Sequence, residues 1–118
     1  MSTGTKRVSF ADGEVIFREG EPSDAAYLVV WGAVSIRTGY GSVREKAIAE
    51  LGKGEYFGEM GAIDSCPRSA TAVAKGSVEC VSVTHDEFMR MLLEKPEESI
   101  HLLRVLFERL RRADRQLA

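Results

Sequence analysis

The hydrophobic period of this 118-residue chain changes once, at Thr84, and that change limits the fold more than any other feature. Before it, short apolar runs alternate with glycine turns. Val15-Ile16-Phe17 lies between Asp12-Gly13 and Glu19-Gly20, and Ala25 to Trp31 ends at Gly32. Val34-Ser35-Ile36 has the period of two of a half-buried strand. Thr38-Gly39-Tyr40-Gly41-Ser42 reads as a hairpin turn, with Val43 to Leu51 pairing back. Beyond the turn Gly52-Lys53-Gly54-Glu55 come Tyr56-Phe57, then strands over Ser69 to Ala74 and Val78 to Val83, split by Lys75-Gly76-Ser77. About eight short strands with regular glycine turns predict a sandwich or barrel.

From Thr84 onward the period is helical. Thr84-His85-Asp86-Glu87 has the form of a capping box, with Thr84 as N-cap and Glu87 at the third helical position. Phe88, Met91 and Leu92 follow at helical spacing. Pro96 suits the first turn of a second helix, and Glu97 and Glu98 sit near its positive end. Ile100, Leu103, Leu106, Phe107 and Leu110 then form one apolar stripe on a helix that could run to Leu117.

The bulk properties narrow the function classes. One domain accounts for the length. Apolar residues at 44% and charged residues at 29% are a globular profile. A net charge of −2 argues against nucleic acid as the main partner, since duplex binding leaves a basic footprint. No apolar run is long enough for a membrane helix, and Met1 to Lys6 lacks a signal-peptide core. Cys66 and Cys80 are not a CxxC pair, so reduced thiols in a cytoplasmic protein are expected. His85 and His101 are isolated, which speaks against a metal site, and no nucleophile–base grouping suggests an enzyme.

The chemistry-bearing stretch is Phe57 to Thr71. It places a carboxylate, Glu59, nine positions before a guanidinium, Arg68, across a short glycine-bearing segment of weak helical character. A carboxylate accepts hydrogen bonds from a sugar hydroxyl, and Arg donates a planar fork to phosphate oxygens. A structural ion pair between the two is the simpler reading of the charges alone.

With these elements in this order, the chain resembles the cyclic nucleotide-binding domain family. The resemblance rests on Phe57-Gly58-Glu59-Met60, on Pro67-Arg68-Ser69-Ala70-Thr71, on Gly13 to Pro22, on Tyr27 to Val34 and on Leu51 to Phe57. It covers the chain from about residue 8 to the C-terminus. The fold it implies is mainly β with helices: an eight-stranded antiparallel β-roll, a short phosphate-binding-cassette helix and two C-terminal helices. The implied layout is a polar tail over 1–7, a β-roll over 8–84 and helices over 85–117.

The resemblance also implies a site. Glu59 would bind the ribose 2′-hydroxyl and Arg68 the cyclic phosphate. The backbone N–H groups of Gly58 and Glu59 would support the sugar-phosphate, and Ser69 would add a hydroxyl. Phe57, Met60, Pro67 and Ala70 complete the implied ligand-binding set. Ser69 after the arginine leans towards cAMP, with cGMP as the other ligand. Arg109 is a candidate lid over the base, with a solvated helix face as its plainer reading. Val34, Ile36, Val43 and Lys46 are weaker candidates for lining the base pocket. No cofactor beyond the nucleotide is implied; haem, which relatives of this fold bind, is disfavoured by the intact Glu59/Arg68 pair.

The expected function is a sensor that converts nucleotide binding into movement of the C-terminal helices. The alternative is an interaction module on the same fold with a vestigial pocket, whose last helix docks on an effector or forms a homodimer. An Arg68 turned inward onto the protein in the absence of nucleotide would favour that alternative. No output domain is legible in these 118 residues, and none of them is expected to form a nucleic-acid-binding module.

Overall fold

A computed structural model describes the backbone of residues 5–59 and 66–117, with side chains as far as Glu108. Among the described residues, six strands form one antiparallel sheet: β1 (Thr5–Phe10), β2 (Val15–Phe17), β3 (Ala25–Thr38), β4 (Lys46–Leu51), β5 (Tyr56–Phe57) and β6 (Thr71–Thr84). Two helices follow, α1 (His85–Glu94) and α2 (Pro96–Leu117). The strand order is β1-β6-β3-β4, with β2 also pairing β6 and β5 also pairing β3.

The two long strands explain why the sequence suggested more, shorter strands. β3 runs through Gly32 and β6 through Gly76 without ending. Each behaves as two segments. Residues 25–31 of β3 lie against 79–84 of β6, and residues 33–37 lie against 71–75. The register shifts between Val29 and Ala33. The first part of β6 pairs with β2 on its other side, through Val15↔Val73 and Phe17↔Ala72. The second part pairs with β1, from Phe10↔Val78 to Thr5↔Val83. With these halves counted separately, the described strands make up the eight segments expected. The glycines mark bulges rather than breaks.

Gly32 is the tighter of the two bulges. Its φ is +93°, and a Cβ there would lie 2.4 Å from the Ser77 carbonyl oxygen. Gly76 has φ +73° but open space around it. Gly32→Ala should therefore cost more than Gly76→Ala. The second change bears only the left-handed backbone cost, about 1–2 kcal/mol. The first adds a backbone clash to strain of about 1–3 kcal/mol. Urea midpoints of the two variants, read at unchanged slope, measure the difference.

Two segments differ from the sequence reading. Residues 5–7, expected as tail, are the first half of β1. Val43, expected at the start of a strand, lies in the β3–β4 turn and is fully exposed. That turn is held by Glu45, which pairs with Arg37 Nη1 at 2.6 Å and accepts the Gly41 N–H at 2.8 Å. Closing the turn on Glu45 delays strand pairing to Lys46, opposite Thr38.

The chain forms two compact units, residues 1–88 and 89–118. The core of the first unit is Val29, Val34, Leu51, Phe57, Ala72, Ala74, Val78 and Cys80, with Val8, Phe10, Ile16, Phe17, Tyr27, Ile36 and Ala49 packed against it. Thr84 caps α1 as its sequence suggested, its Oγ1 accepting the Glu87 N–H at 3.3 Å. Phe88, fully buried, meets Tyr56 edge-on with ring centroids 5.9 Å apart. In the second unit, the Lys95 carbonyl accepts from Glu98 and Ser99, so Lys95 caps α2 and Pro96 is its first helical residue. Ile100, Leu103 and Phe107 of the apolar stripe are exposed. Among the described residues no helix is long and apolar enough to cross a membrane.

Neither cysteine is in a disulfide; Cys66 is exposed and Cys80 buried. Burial, helped by the Glu79 carboxylate, pushes the Cys80 thiol up to about 11. An unfolded thiol ionises at about 8.5. The folded state thus holds its proton over a range where the unfolded chain has lost it. This contribution to stability is fully present below about 8.5 and is lost as pH rises through about 11. The urea midpoint should fall across that window, and fall less in Cys80→Ala. At pH 8 a thiol reagent should modify Cys66 and spare Cys80.

Candidate functional site

Arg68 is the centre of the described site. Its backbone is stitched to the β2–β3 loop: Gly20 donates to the Arg68 carbonyl at 2.8 Å, and Arg68 donates to the Glu21 carbonyl at 2.9 Å. The loop is itself fixed, because Arg18 N–H donates to the Glu21 carboxylate and Glu19 N–H donates to Thr71 Oγ1 at 3.0 Å. Arg68 therefore enters β6 with little freedom in its main chain.

The guanidinium points into the protein, and the Arg68 side chain is only 3% exposed. Nη1 donates to the Gly58 carbonyl at 2.9 Å and Nη2 to the Ala25 carbonyl at 2.8 Å. The Asp24 carboxylate stands 3.5 Å from Nη2 but is itself largely solvated, so it contributes a screened attraction. The guanidinium carbon lies 4.0 Å above the centroid of the Phe17 ring and 5.8 Å from that of Tyr27. Nε is buried and has no hydrogen-bond partner. Burial pulls the Arg68 pKa down, while Tyr27, Asp24, Glu21 and Glu59 act in the opposite direction. An arginine stays a cation through such a shift. Burial likewise pushes the Tyr27 hydroxyl up, with the Arg68 charge and a hydrogen bond to Ser82 opposing it.

Gly58 has a double reason to be glycine. Its φ is +72°, and a Cβ there would lie 2.5 Å from Arg68 Nη1 and 3.1 Å from Phe17 Cε2. A side chain would push the guanidinium off both its carbonyl and its ring. Glu59 follows directly and is 1% exposed. A carboxylate buried so completely needs partners or a nearby positive charge. Arg68 supplies part of that field.

The expected ligand-binding residues fall into groups. Phe57, Gly58 and Arg68 converge as described, with Phe57 stacked on Tyr27 at 5.2 Å between centroids. Ala70 is buried, whereas Pro67 and Ser69 are exposed on either side of Arg68. Met60 and the cassette helix expected after Glu59 lie outside the described residues, as does the Arg109 side chain. Of the expected base-pocket residues, Val34 is fully buried in the core, Ile36 is half-buried, and Val43 and Lys46 are exposed. A cleft of about 480 Å³ on the β3–β4–β6 face includes Ser35, Arg37, Ile48, Glu50 and Lys75 and shares no lining residue with the Arg68 cluster. Lys75 pairs with Glu50 and Arg37 with Glu45, while Asp12, also in the lining, accepts the Gly76 N–H at 2.7 Å.

Sequence reasoning missed Phe17, Asp24, Ala25 and Tyr27. Phe17 is brought to Arg68 by the β2–β6 pairing, Ala25 and Tyr27 by the start of β3, and Asp24 by its position just before that strand. No spacing rule links residues so far apart. The Ala25 contribution is a carbonyl, which any residue would supply.

Residues 7–95 match the cyclic nucleotide-binding domain family. The chain belongs to that family. It is 37% identical over 94% of its length to a CRP-like cAMP-activated global transcriptional regulator of Mycobacterium tuberculosis, covering 50% of that protein. It is 37% identical over 77% of its length to a cAMP-dependent protein kinase regulatory subunit of Dictyostelium discoideum, covering 29% of it. The crystal structure of the Thermus thermophilus catabolite activator protein superposes with a TM-score of 0.83 at 36% identity, over 96% of this chain and 53% of that one. The sheet and two C-terminal helices are thus the β-roll fold of this family. The chain spans about half the length of the transcription regulators it matches, and less of the kinase subunit.

Proposed function

We propose that this domain is a cyclic nucleotide sensor that favours cAMP over cGMP and couples binding to movement of its C-terminal helices. The observation that carries the reading is Arg68: a buried cation, next to Gly58, whose Nε has no hydrogen-bond partner. A phosphate oxygen is the natural acceptor for such a donor, and a bond to an ionised partner is roughly twice as strong as a neutral one. In this reading Glu59 accepts the ribose 2′-hydroxyl and Ser69 adds a hydroxyl contact. Met60, Pro67 and Ala70 shape the walls, and Arg109 covers the base. Val34, Ile36, Val43 and Lys46 remain the proposed base-pocket residues. The preference for cAMP is supported by Ser69 and by the cAMP-linked names of the relatives.

Coupling has a physical route inside the first unit. Phe57 and Tyr56 are neighbours in β5, and Tyr56 packs on Phe88 in the first turn of α1. Rearrangement of Gly58 and Glu59 on phosphate therefore changes the packing at the helix start. The helices would pivot near Lys95-Pro96. Ligand must bind the moved state more tightly, and about 2 kcal/mol of preference shifts the ratio some thirtyfold.

The inward Arg68 favours the second reading, an interaction module with a vestigial pocket. The character of its contacts weighs against that reading. Two neutral carbonyls and a solvated carboxylate at 3.5 Å are weak counter-partners for a buried cation. A site that had lost its anion would be expected to satisfy Nε as well. Comparison of cAMP with 2′-deoxy-cAMP tests the assigned geometry. Loss of the hydroxyl should cost roughly 1.5–3 kcal/mol if Glu59 reads it; equal affinities would remove Glu59 from the site. Hydrogen exchange over residues 85–117 with and without cAMP tests the coupling, and an unchanged pattern at saturation would refute it.

A further inference from the structure

The geometry points to a positioning role for Phe17: its ring is the platform that fixes the plane of the Arg68 guanidinium, so that the Nε edge faces the ligand's anionic oxygen. This rests on the reading of Arg68 as the phosphate-binding group. Phe17 lies in β2, away in sequence from the segment that carries Gly58, Glu59 and Arg68.

A guanidinium directs all five of its N–H bonds outward in one plane. Two of its nitrogens are held by carbonyls, Nη1 by Gly58 and Nη2 by Ala25. Two such bonds define a line and leave rotation about that line open. A contact above the plane removes this freedom, and Phe17 supplies it at 4.0 Å. The contact is a cation–π stack, attractive as well as steric. With the plane fixed, the unpaired Nε has one direction of approach.

The platform is rigid. Phe17 packs against Tyr27 and Phe57 with ring centroids 5.8 Å apart in each case. Its backbone pairs with Ala72 of β6, four residues after Arg68 on the same chain segment. Gly58 keeps the gap open, since a Cβ there would crowd both the ring and the guanidinium. An aliphatic residue at position 17 could fill the space but would offer no electron-rich face.

The test compares the native chain, Phe17→Leu and Phe17→Tyr by calorimetry with cAMP, each also in an Arg68→Lys background, with melting temperatures measured alongside. Phe17→Leu should weaken cAMP binding by roughly tenfold, and Phe17→Tyr, which keeps the ring face, should stay within about twofold of native. With Lys at position 68 the Leu substitution should add no more than about twofold, because its effect acts through the guanidinium. A purely structural Phe17 would give the same loss in both backgrounds. In the native protein the Arg68 Nε–H resonance should be shifted upfield by the ring and should move downfield on adding cAMP. The NMR arm needs no variant, so it decides the matter even if Phe17→Leu fails to fold. Binding that depends on Arg68 but is indifferent to Phe17→Leu overturns the platform role alone. So does an Arg68 Nε–H signal at an unshifted position. A native chain that binds neither cAMP nor cGMP overturns the phosphate reading and this inference with it.

Discussion

Arg68→Ala is expected to weaken cAMP binding by roughly 2–5 kcal/mol, the usual cost of truncating one partner of a buried charge pair. It should also destabilise the ligand-free domain. The Gly58 and Ala25 carbonyls lose their donors, and each buried one left unpaired costs about 1–3 kcal/mol. The face of Phe17 loses its cation as well. Arg68→Lys separates the two effects. An ammonium keeps the charge but cannot reach two carbonyls and an anion through one planar fork. It should retain more of the fold than Ala and still bind cAMP weakly. Calorimetry and urea unfolding on both variants measure the pair of effects. Native affinity in Arg68→Ala would remove Arg68 from the site.

Phe57→Ala should lower the stability of the domain by about 3–5 kcal/mol, in the range seen when a fully buried aromatic is truncated. Phe57 is 1% exposed and packs on Tyr27 at 5.2 Å and on Phe17 at 5.8 Å. Its loss opens a cavity under the ring that carries the Arg68 guanidinium. Stability and affinity should therefore fall together. Phe57→Leu should recover most of the stability and less of the affinity, because Phe17 would be less firmly held. Urea unfolding reads the first quantity. A loss below about 1 kcal/mol would show that the aromatic cluster is not a packed core.

The legible parts of the fold were those written in local pattern. The period switch at Thr84 gave the strand-to-helix boundary, and the Thr84/Glu87 pair gave the cap that the structure shows. Strand continuity was not legible. Gly32 and Gly76 look like turn residues in sequence, because a bulge and a turn both call on glycine for positive φ. Only the cross-strand partner, Ser77 over Gly32, separates the two cases. β1 was hidden by its polar first half, which is acceptable on a strand whose outer residues stay solvated.

The site divides the same way. Gly58, Glu59 and Arg68 are visible because they lie on one stretch of chain with a recognisable spacing. What holds Arg68 is not. Phe17 and Ala25 are 51 and 43 positions away and meet it only through strand pairing. A carbonyl leaves no trace in residue identity, and an aromatic in a strand reads first as core. Phe17 is half-buried and does pack on the core, so its contact with the guanidinium is an additional use of a residue already explained.

The proposed function turns on whether a cyclic nucleotide binds at Arg68. Its most direct test is calorimetric titration of the native chain with cAMP and, side by side, with cGMP. Saturable binding is expected at one site per chain, tighter for cAMP and abolished or strongly weakened in Arg68→Ala. No heat and no spectral shift with either nucleotide at millimolar concentration would contradict it.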